Sequence, residues 1–431
     1  MKKIIAALLG AVMITGTTAA LVGCGEEDEG KNAKYRYNIT VWVGEDTKTL
    51  TQKLITDFNK SNGQSIWFYA KVNEVTESKA AGDVTNKPED APEIFCFAQD
   101  QIARLVNSRL LAPPAQSVVD SLTEINTATA MNAATVGSTV YAYPLTEDNG
   151  YFLYYDKRVI SDEQAGSVEG ILDACSEYES SHPGEKRYFS FDLKGGWYVS
   201  SFFYGAGAKS DWAVTDQGKF TTLPGENDTF NSDKGLIAAQ GLQKVLKHKS
   251  YLDDDTKDTG KASDFNAASP AAAVVSGIWD YKAAKNALGN NLGVAKLPTY
   301  TVDETEHQLK SFLGCKLLGV SPQEGDANKA AALTLLAQYL TNEDSQMARY
   351  NSFGWGPSTK SGQNNATVKA DVALSALKET ATVPQGQYPA DWWNKVKVLS
   401  GSVKDAATGD LQALQKALSD YADGLRSLLD K

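Results

Sequence analysis

Ile39-Thr40-Val41-Trp42-Val43 opens the stretch ITVWVGEDTKTLTQKLITDFNKSNG (residues 39–63), whose two halves follow different periods. The first part is an unbroken run of β-branched and aromatic residues, the pattern of a strand buried on both faces. After Gly44-Glu45-Asp46, apolar side chains recur at Leu50, Leu54, Ile55 and Phe58. That spacing predicts one face of a helix, with Asp46 or Thr47 as its cap and Gly63 as its stop. A buried strand feeding an amphipathic helix opens an α/β fold.

Working outward, Ser65 to Val72 and Glu93 to Ala98 read as further strands, and Ile102, Leu105, Val106 and Leu110 as another helical face. Val140 to Pro144, Gly150 to Asp156 and Leu292 to Pro298 read as strands, and Val168 to Ser181 and Ala327 to Leu340 as helices. Leu411, Leu414, Leu418, Tyr421, Leu425 and Leu428 outline a last helix. No repeat of fixed period interrupts this alternation. With 431 residues, 42% of them hydrophobic and 22% charged, the chain can bury a large core in two or three domains. Its net charge of −11 argues against nucleic acid as a partner.

Residues 1–23 combine the basic head Lys2-Lys3 with the apolar run Ile4 to Ile14, an export signal. They end in Leu21-Val22-Gly23-Cys24, which resembles the bacterial lipobox, in which the cysteine is lipidated and becomes the mature N-terminus. Acyl chains contribute about 0.8 kcal/mol per buried methylene, so two or more anchor stably. Residues 24–34, with four consecutive acids at Glu26 to Glu29, read as an acidic tether. The expectation is a monomer held at the extracellular face of the cell membrane through Cys24.

Cys96, Cys175 and Cys315 sit in apolar surroundings without metal-ligand or disulfide spacing, and His182, His248 and His307 are scattered. No metal or cofactor is expected. Asp253-Asp254-Asp255 lacks the turn glycine of a calcium loop, and Gly195-Gly196 and Gly205-Ala206-Gly207 are not followed by Gly-Lys-Ser/Thr.

Several segments in order resemble the maltodextrin-type extracellular solute-binding proteins of ABC transporters. They are Val41-Trp42-Val43, Ala91-Pro92-Glu93-Ile94 leading to Phe97-Ala98-Gln99-Asp100, Tyr141-Ala142-Tyr143-Pro144, Leu153-Tyr154-Tyr155-Asp156-Lys157, Ser276-Gly277-Ile278-Trp279 and Leu297-Pro298. The resemblance implies an α/β, two-lobe, type II binding-protein fold with discontinuous lobes and a ligand cleft between them. The first lobe would comprise 35–148 and 299–349, the second 149–298 and 350–431. The implied function is capture of a neutral oligosaccharide, an α-glucan such as a maltodextrin, by cleft closure and its delivery to ABC permease subunits, without catalysis.

Sugars present C–H faces ringed by hydroxyls, so a pocket for them needs flat aromatic rings and short polar groups. The resemblance places Trp279, Tyr281, Trp197 and the pair Trp392 and Trp393 on the second lobe as stacking residues. Of the pair, one ring should face the cleft and the other pack, because helical neighbours point about 100° apart. Trp355, between Gly354 and Gly356, is a further candidate, whereas Trp42 reads as core. Polar candidates on the first lobe are Glu45 and Asp46, Gln99 and Asp100, and Glu147, Asp148 and Asn149. Asp100-Gln101 departs from the family's frequent Asp-Arg, and the segment after Pro144 is one residue longer, which leaves the register of Glu147 to Asn149 open. The same aromatic and acidic residues would suit a polyamine through cation–π contact. An extracellular glycoside hydrolase would need two carboxylates at a set separation, and no Gly-x-Ser-x-Gly is present.

Overall fold

A computed structural model of the chain describes residues 30–221, 227–254, 259–380 and 382–429. The expected leader, Cys24 and the acids Glu26 to Glu29 lie outside the described residues. The organising strands, in chain order, are β1 (Tyr35–Val43), β2 (Ile66–Glu74), β3 (Ile94–Ala98), β4 (Tyr143–Asn149), β5 (Tyr151–Asp156) and β6 (Tyr188–Ser190). They continue with β7 (Ala271–Gly277), β8 (Leu292–Ala295), β9 (Thr299–Val302), β10 (Thr305–Gln308), β11 (Ser311–Val320) and β12 (Thr382–Pro384).

The opening stretch does what its periods require. β1 pairs in parallel with β2 and with β3, and parallel neighbours need a crossover. The helices Lys48–Asn62 and Glu77–Asn86 supply it. The first of these buries Leu54, Ile55 and Phe58 in a core shared with Val41, Phe68 and Leu333. β11 joins antiparallel to β3 and β4 and parallel to β12, giving a sheet ordered β12-β11-β3-β1-β2 with β4 also on β11.

A second sheet runs β8-β5-β7-β6. β5 shows why helices cover both of its faces: side chains alternate along a strand, and here both sets are apolar. Tyr151, Leu153 and Tyr155 enter one core with Phe202, Leu242, Trp392 and Leu418. Phe152 and Tyr154 enter another with Ile278, Leu374 and Leu377. The two sheets organise the two lobes.

Three chain segments connect them. β4 passes into β5 through Gly150, where a Cβ would overlap the carbonyl oxygen of Phe312 and lie 2.8 Å from Leu377. Only glycine lets the crossing strands approach this closely. Ser311 Oγ accepts from Tyr151 N–H at 2.7 Å at the same place. The second connection lies after the β9–β10 hairpin. That hairpin packs with the second lobe, not the first as the resemblance would put residues 299–349. The reason is Tyr300, which is buried in the second-lobe core and donates to the Phe202 carbonyl at 2.9 Å. The third connection follows the helix Glu343–Phe353, where Gly356 N–H donates to Asp148 Oδ2 at 2.7 Å. Cys96, Cys175 and Cys315 are free and buried, as their apolar neighbours suggest.

Candidate functional site

β7 ends at Gly277, and the turn Ile278–Asp280 carries Trp279 out of the second sheet before the helix Tyr281–Leu288 begins. Asp280 fixes the turn by accepting from Ser276 Oγ at 2.7 Å and Ala262 N–H at 3.1 Å. Trp279 remains 37% exposed. Behind it the helix Gly196–Gly205 presents Trp197, whose ring lies 5.9 Å from that of Trp279 at 27° and 6.1 Å from Phe312 at 3°. Phe312, Trp197 and Trp279 thus form one column, braced edge-on by Tyr151 at 5.0 Å. Trp197 Nε1 is buried with no hydrogen-bond partner among the described residues. Tyr281 is half-buried against the second-lobe core and 6.5 Å from Tyr154.

The pair at the start of the helix Trp392–Asp405 divides. Trp392 is 0% exposed, donates through Nε1 to Tyr421 Oη at 3.0 Å and stacks on Tyr388 at 4.2 Å. It belongs to the core, and its place among the ligand candidates is corrected accordingly. Trp393 turns the other way and reaches the first lobe, Nε1 donating to Asp100 Oδ2 at 3.0 Å. Burial pushes the Asp100 carboxyl up to about 6, with the Trp393 N–H pulling it partly back. An acid in that state can accept or donate a hydrogen bond near neutral pH.

The other first-lobe candidates separate by what already occupies them. Gln99 donates to the Gln385 carbonyl at 2.5 Å and accepts from Cys315 N–H at 2.6 Å. Both ends of its amide hold main chain, so it is a structural peg and not a ligand group. Asp148 is 0% exposed and accepts from Thr146 Oγ1 at 2.6 Å as well as from Gly356. Burial raises its carboxyl, opposed by Lys316. Asn149 donates to Gln385 Oε1 at 3.0 Å. Glu147 is half-buried, accepts from Thr127 Oγ1 and is raised by burial. These three residues tie the crossing together. Glu45 and Asp46 stand exposed in the turn after β1, with Asp46 in the left-handed region at φ 65°. Neither caps the helix, whose N-cap is Thr47. The turn is near the site because a Cβ on Gly44 would lie 2.9 Å from Trp355 and overlap Glu77 Oε1.

Sequence reasoning missed the charged group at the base of this arrangement. Lys316 projects from β11 with its side chain only 4% exposed. Its Nζ lies 3.4 Å from the Trp355 ring centroid and 5.7 Å from that of Trp279. Glu77 Oε1 is 3.6 Å away, beyond ordinary hydrogen-bond length, and has no hydrogen-bond partner among the described residues. Burial pulls the ammonium down, but Glu77 and Asp148 outweigh it and leave the group above its ordinary value. The signal was a lone lysine inside Leu313 to Val320, since such a residue is buried only when paired. Trp355, 5% exposed, faces this ammonium from the third crossing.

The arrangement therefore offers a half-exposed indole face backed by a second, a titratable acid from the opposite lobe, and a rigid charged floor. Among the described residues no group of three or more potential metal ligands occurs, and no helix is long and apolar enough to cross a membrane.

The family model of bacterial extracellular solute-binding proteins matches residues 41–376. The maltotriose-binding protein of Pyrococcus abyssi (strain GE5 / Orsay) is 22% identical over 330 residues, which cover 75% of this chain and 68% of that protein. A solved structure described as being with acarbose has a TM-score of 0.75 at 25% identity, covering 91% of this chain and 100% of that one. The maltodextrin binding protein MalE1 from L. casei BL23, without ligand, has a TM-score of 0.72 at 21% identity, covering 90% and 99%. The fold is the two-lobed type II binding-protein architecture, with discontinuous lobes and a cleft between them. With the family model covering most of its length, the chain belongs to the bacterial extracellular solute-binding proteins.

Proposed function

We propose that this protein captures a neutral oligosaccharide, an α-glucan of the maltodextrin class, by closing its lobes over the sugar and presenting it to an ABC permease without catalysis. The observation that carries the reading is the Trp197–Trp279 stack on one lobe together with the Trp393 indole of the same lobe, whose N–H reaches the Asp100 carboxylate of the other. A pyranose stacks its C–H face on an indole and directs hydroxyls to a carboxylate. Of the proteins named above, one is a maltotriose-binding protein, one a maltodextrin binding protein, and one was solved with acarbose. Ligand favours the closed form only by binding it better than the open form, and contacts from both lobes supply that difference. In this reading the first lobe comprises 35–148 and 311–349 and the second 150–308 with 354–429, apart from β12, which joins the edge of the first sheet. Cys24 carries the lipid anchor, 24–34 is the tether, and the receptor acts as a monomer.

A polyamine is less well served. Asp280 is spent on the turn that holds Trp279, and the cation position against Trp355 is filled by the protein's own ammonium. A thermal-shift screen of maltotriose, longer maltodextrins, xylo- and galacto-oligosaccharides and spermidine tests the choice, because a ligand of the native state raises its apparent stability. Maltodextrins should shift the wild type, and Trp279→Ala should weaken them by about ten-fold or more by ring-burial estimates. Stabilisation by spermidine alone would overturn the sugar assignment.

A further inference from the structure

The Lys316 ammonium and the Glu77 carboxylate face each other at the base of the site without meeting. Glu77 opens the helix Glu77–Asn86 after β2 and Lys316 comes from β11, so both belong to the first lobe. Nζ and Oε1 are 3.6 Å apart, and among the described residues no other carboxylate lies within 4.0 Å of Nζ. Oε1 is buried with no hydrogen-bond partner among the described residues. Asp148, the other acid acting on the ammonium, is already engaged: Oδ1 accepts from Thr146 Oγ1 and Oδ2 from Gly356 N–H. A group that can only donate thus stands beside a group that can only accept, both deep in the protein, where an unmet polar atom is costly.

A sugar hydroxyl has what both lack. It accepts from an ammonium and donates to a carboxylate at once, at about 2.8 Å each, and charged partners make such bonds stronger than neutral ones. Nζ is 5.7 Å from the Trp279 ring centroid. A pyranose stacked on an indole lies about 4–5 Å from it, so a hydroxyl on its rim comes within reach of the pair. The rings nearest the ammonium, Trp355 at 3.4 Å and Trp279, both belong to the second lobe. Stacking surface and charges therefore come from opposite lobes.

We propose that Lys316 and Glu77 together bind one hydroxyl of the sugar unit carried by Trp279, and that the pair makes the receptor reject a unit lacking that hydroxyl. The inference rests on the sugar-binding reading and adds to it the residues that read the sugar and the group they read. Parting of the lobes draws the two indoles off the pair, and closure sets indole and charges on the same sugar unit. A site built around a hydroxyl discriminates strongly against its absence, because its buried polar groups are then left unpaired.

The test is calorimetric titration of the full protein with maltotriose and with maltotriose analogues that each have a single hydroxyl replaced by hydrogen. Wild type, Glu77→Gln and the double variant Glu77→Gln with Lys316→Met are titrated and melted in parallel. The double variant strands no charge at this position, so it should melt closer to wild type than Lys316→Met alone, yet bind maltotriose at least about ten-fold more weakly. Glu77→Gln keeps an oxygen acceptor but loses its charge, and should weaken maltotriose about five-fold. In the wild type at least one deoxy analogue should lose about ten-fold or more, and in the double variant that same analogue should lose less than about three-fold relative to maltotriose. A pair that served stability alone would leave the double variant within about two-fold of wild-type affinity, and that result overturns the proposal. So does a set of deoxy penalties that is the same in wild type and variant. If the double variant gives no cooperative melt, Glu77→Gln decides by the same comparisons. If the wild type binds no sugar, the sugar-binding reading fails and the pair's role with it. If wild type and variants bind maltotriose alike, the receptor reading stands and the hydroxyl pair alone is lost.

Discussion

Asp100→Asn isolates the energetics of the acid between the lobes. The native carboxyl is held to about 6 by burial, against the pull of the Trp393 N–H, whereas in an unfolded chain aspartate ionises near pH 4. Between those values the native state binds more protons than the unfolded state, so stability falls as pH rises through the window, and the loss is complete above about pH 6. A displacement of that size corresponds to on the order of 3 kcal/mol at neutral pH. The amide has the same shape, still accepts from Trp393 and carries no charge to desolvate. The variant should match the wild type in thermal melts near pH 4 and exceed it by a few degrees at pH 7.5. Its affinity for maltotriose should drop, because an ionisable acceptor for sugar hydroxyls has been removed. Stability given up at a position that serves binding is the expected trade. A variant that melts below the wild type at pH 7.5, or by the same margin at every pH, would refute the desolvation argument.

Lys316→Met leaves Glu77 and Asp148 buried without their cation, and it should destabilise by about 3–5 kcal/mol in urea unfolding. Adding Glu77→Gln should recover part of that loss, and no recovery would show that the pairing is not the cause. Gly150→Ala forces a Cβ onto the Phe312 carbonyl and should cost about 1–3 kcal/mol in the same assay; wild-type stability would show that the crossing can relax.

The helices Val168–Ser181 and Ala327–Leu340 were legible to the residue, the first from apolar residues recurring at helical spacing and the second from a long run of alanine and leucine, both strong helix formers. β11 was not. It is buried along nearly its whole length, so it shows no alternation, and glycines at 314 and 319 with a lysine at 316 obscure the apolar run. The β9–β10 hairpin went to the wrong lobe because one buried tyrosine, and not its own pattern, decides where it packs. In the site, the Trp392–Trp393 division followed from helical geometry, but which ring turned inward did not. The demotion of Gln99 and the part played by Lys316 depend on partners far away in sequence, Gln385 and Cys315 for one and Glu77 and Trp355 for the other. A chain read in order does not display such pairings.

The three free thiols sit in three separate hydrophobic clusters, Cys175 with the second-lobe helices, Cys96 under β1 and Cys315 beneath β3. Burial raises each of them, Cys175 to about 12 and the other two further. Disulfide exchange proceeds through the thiolate, and these positions supply almost none. Once folded, these three positions can therefore meet oxidants or reductants without acquiring wrong cross-links.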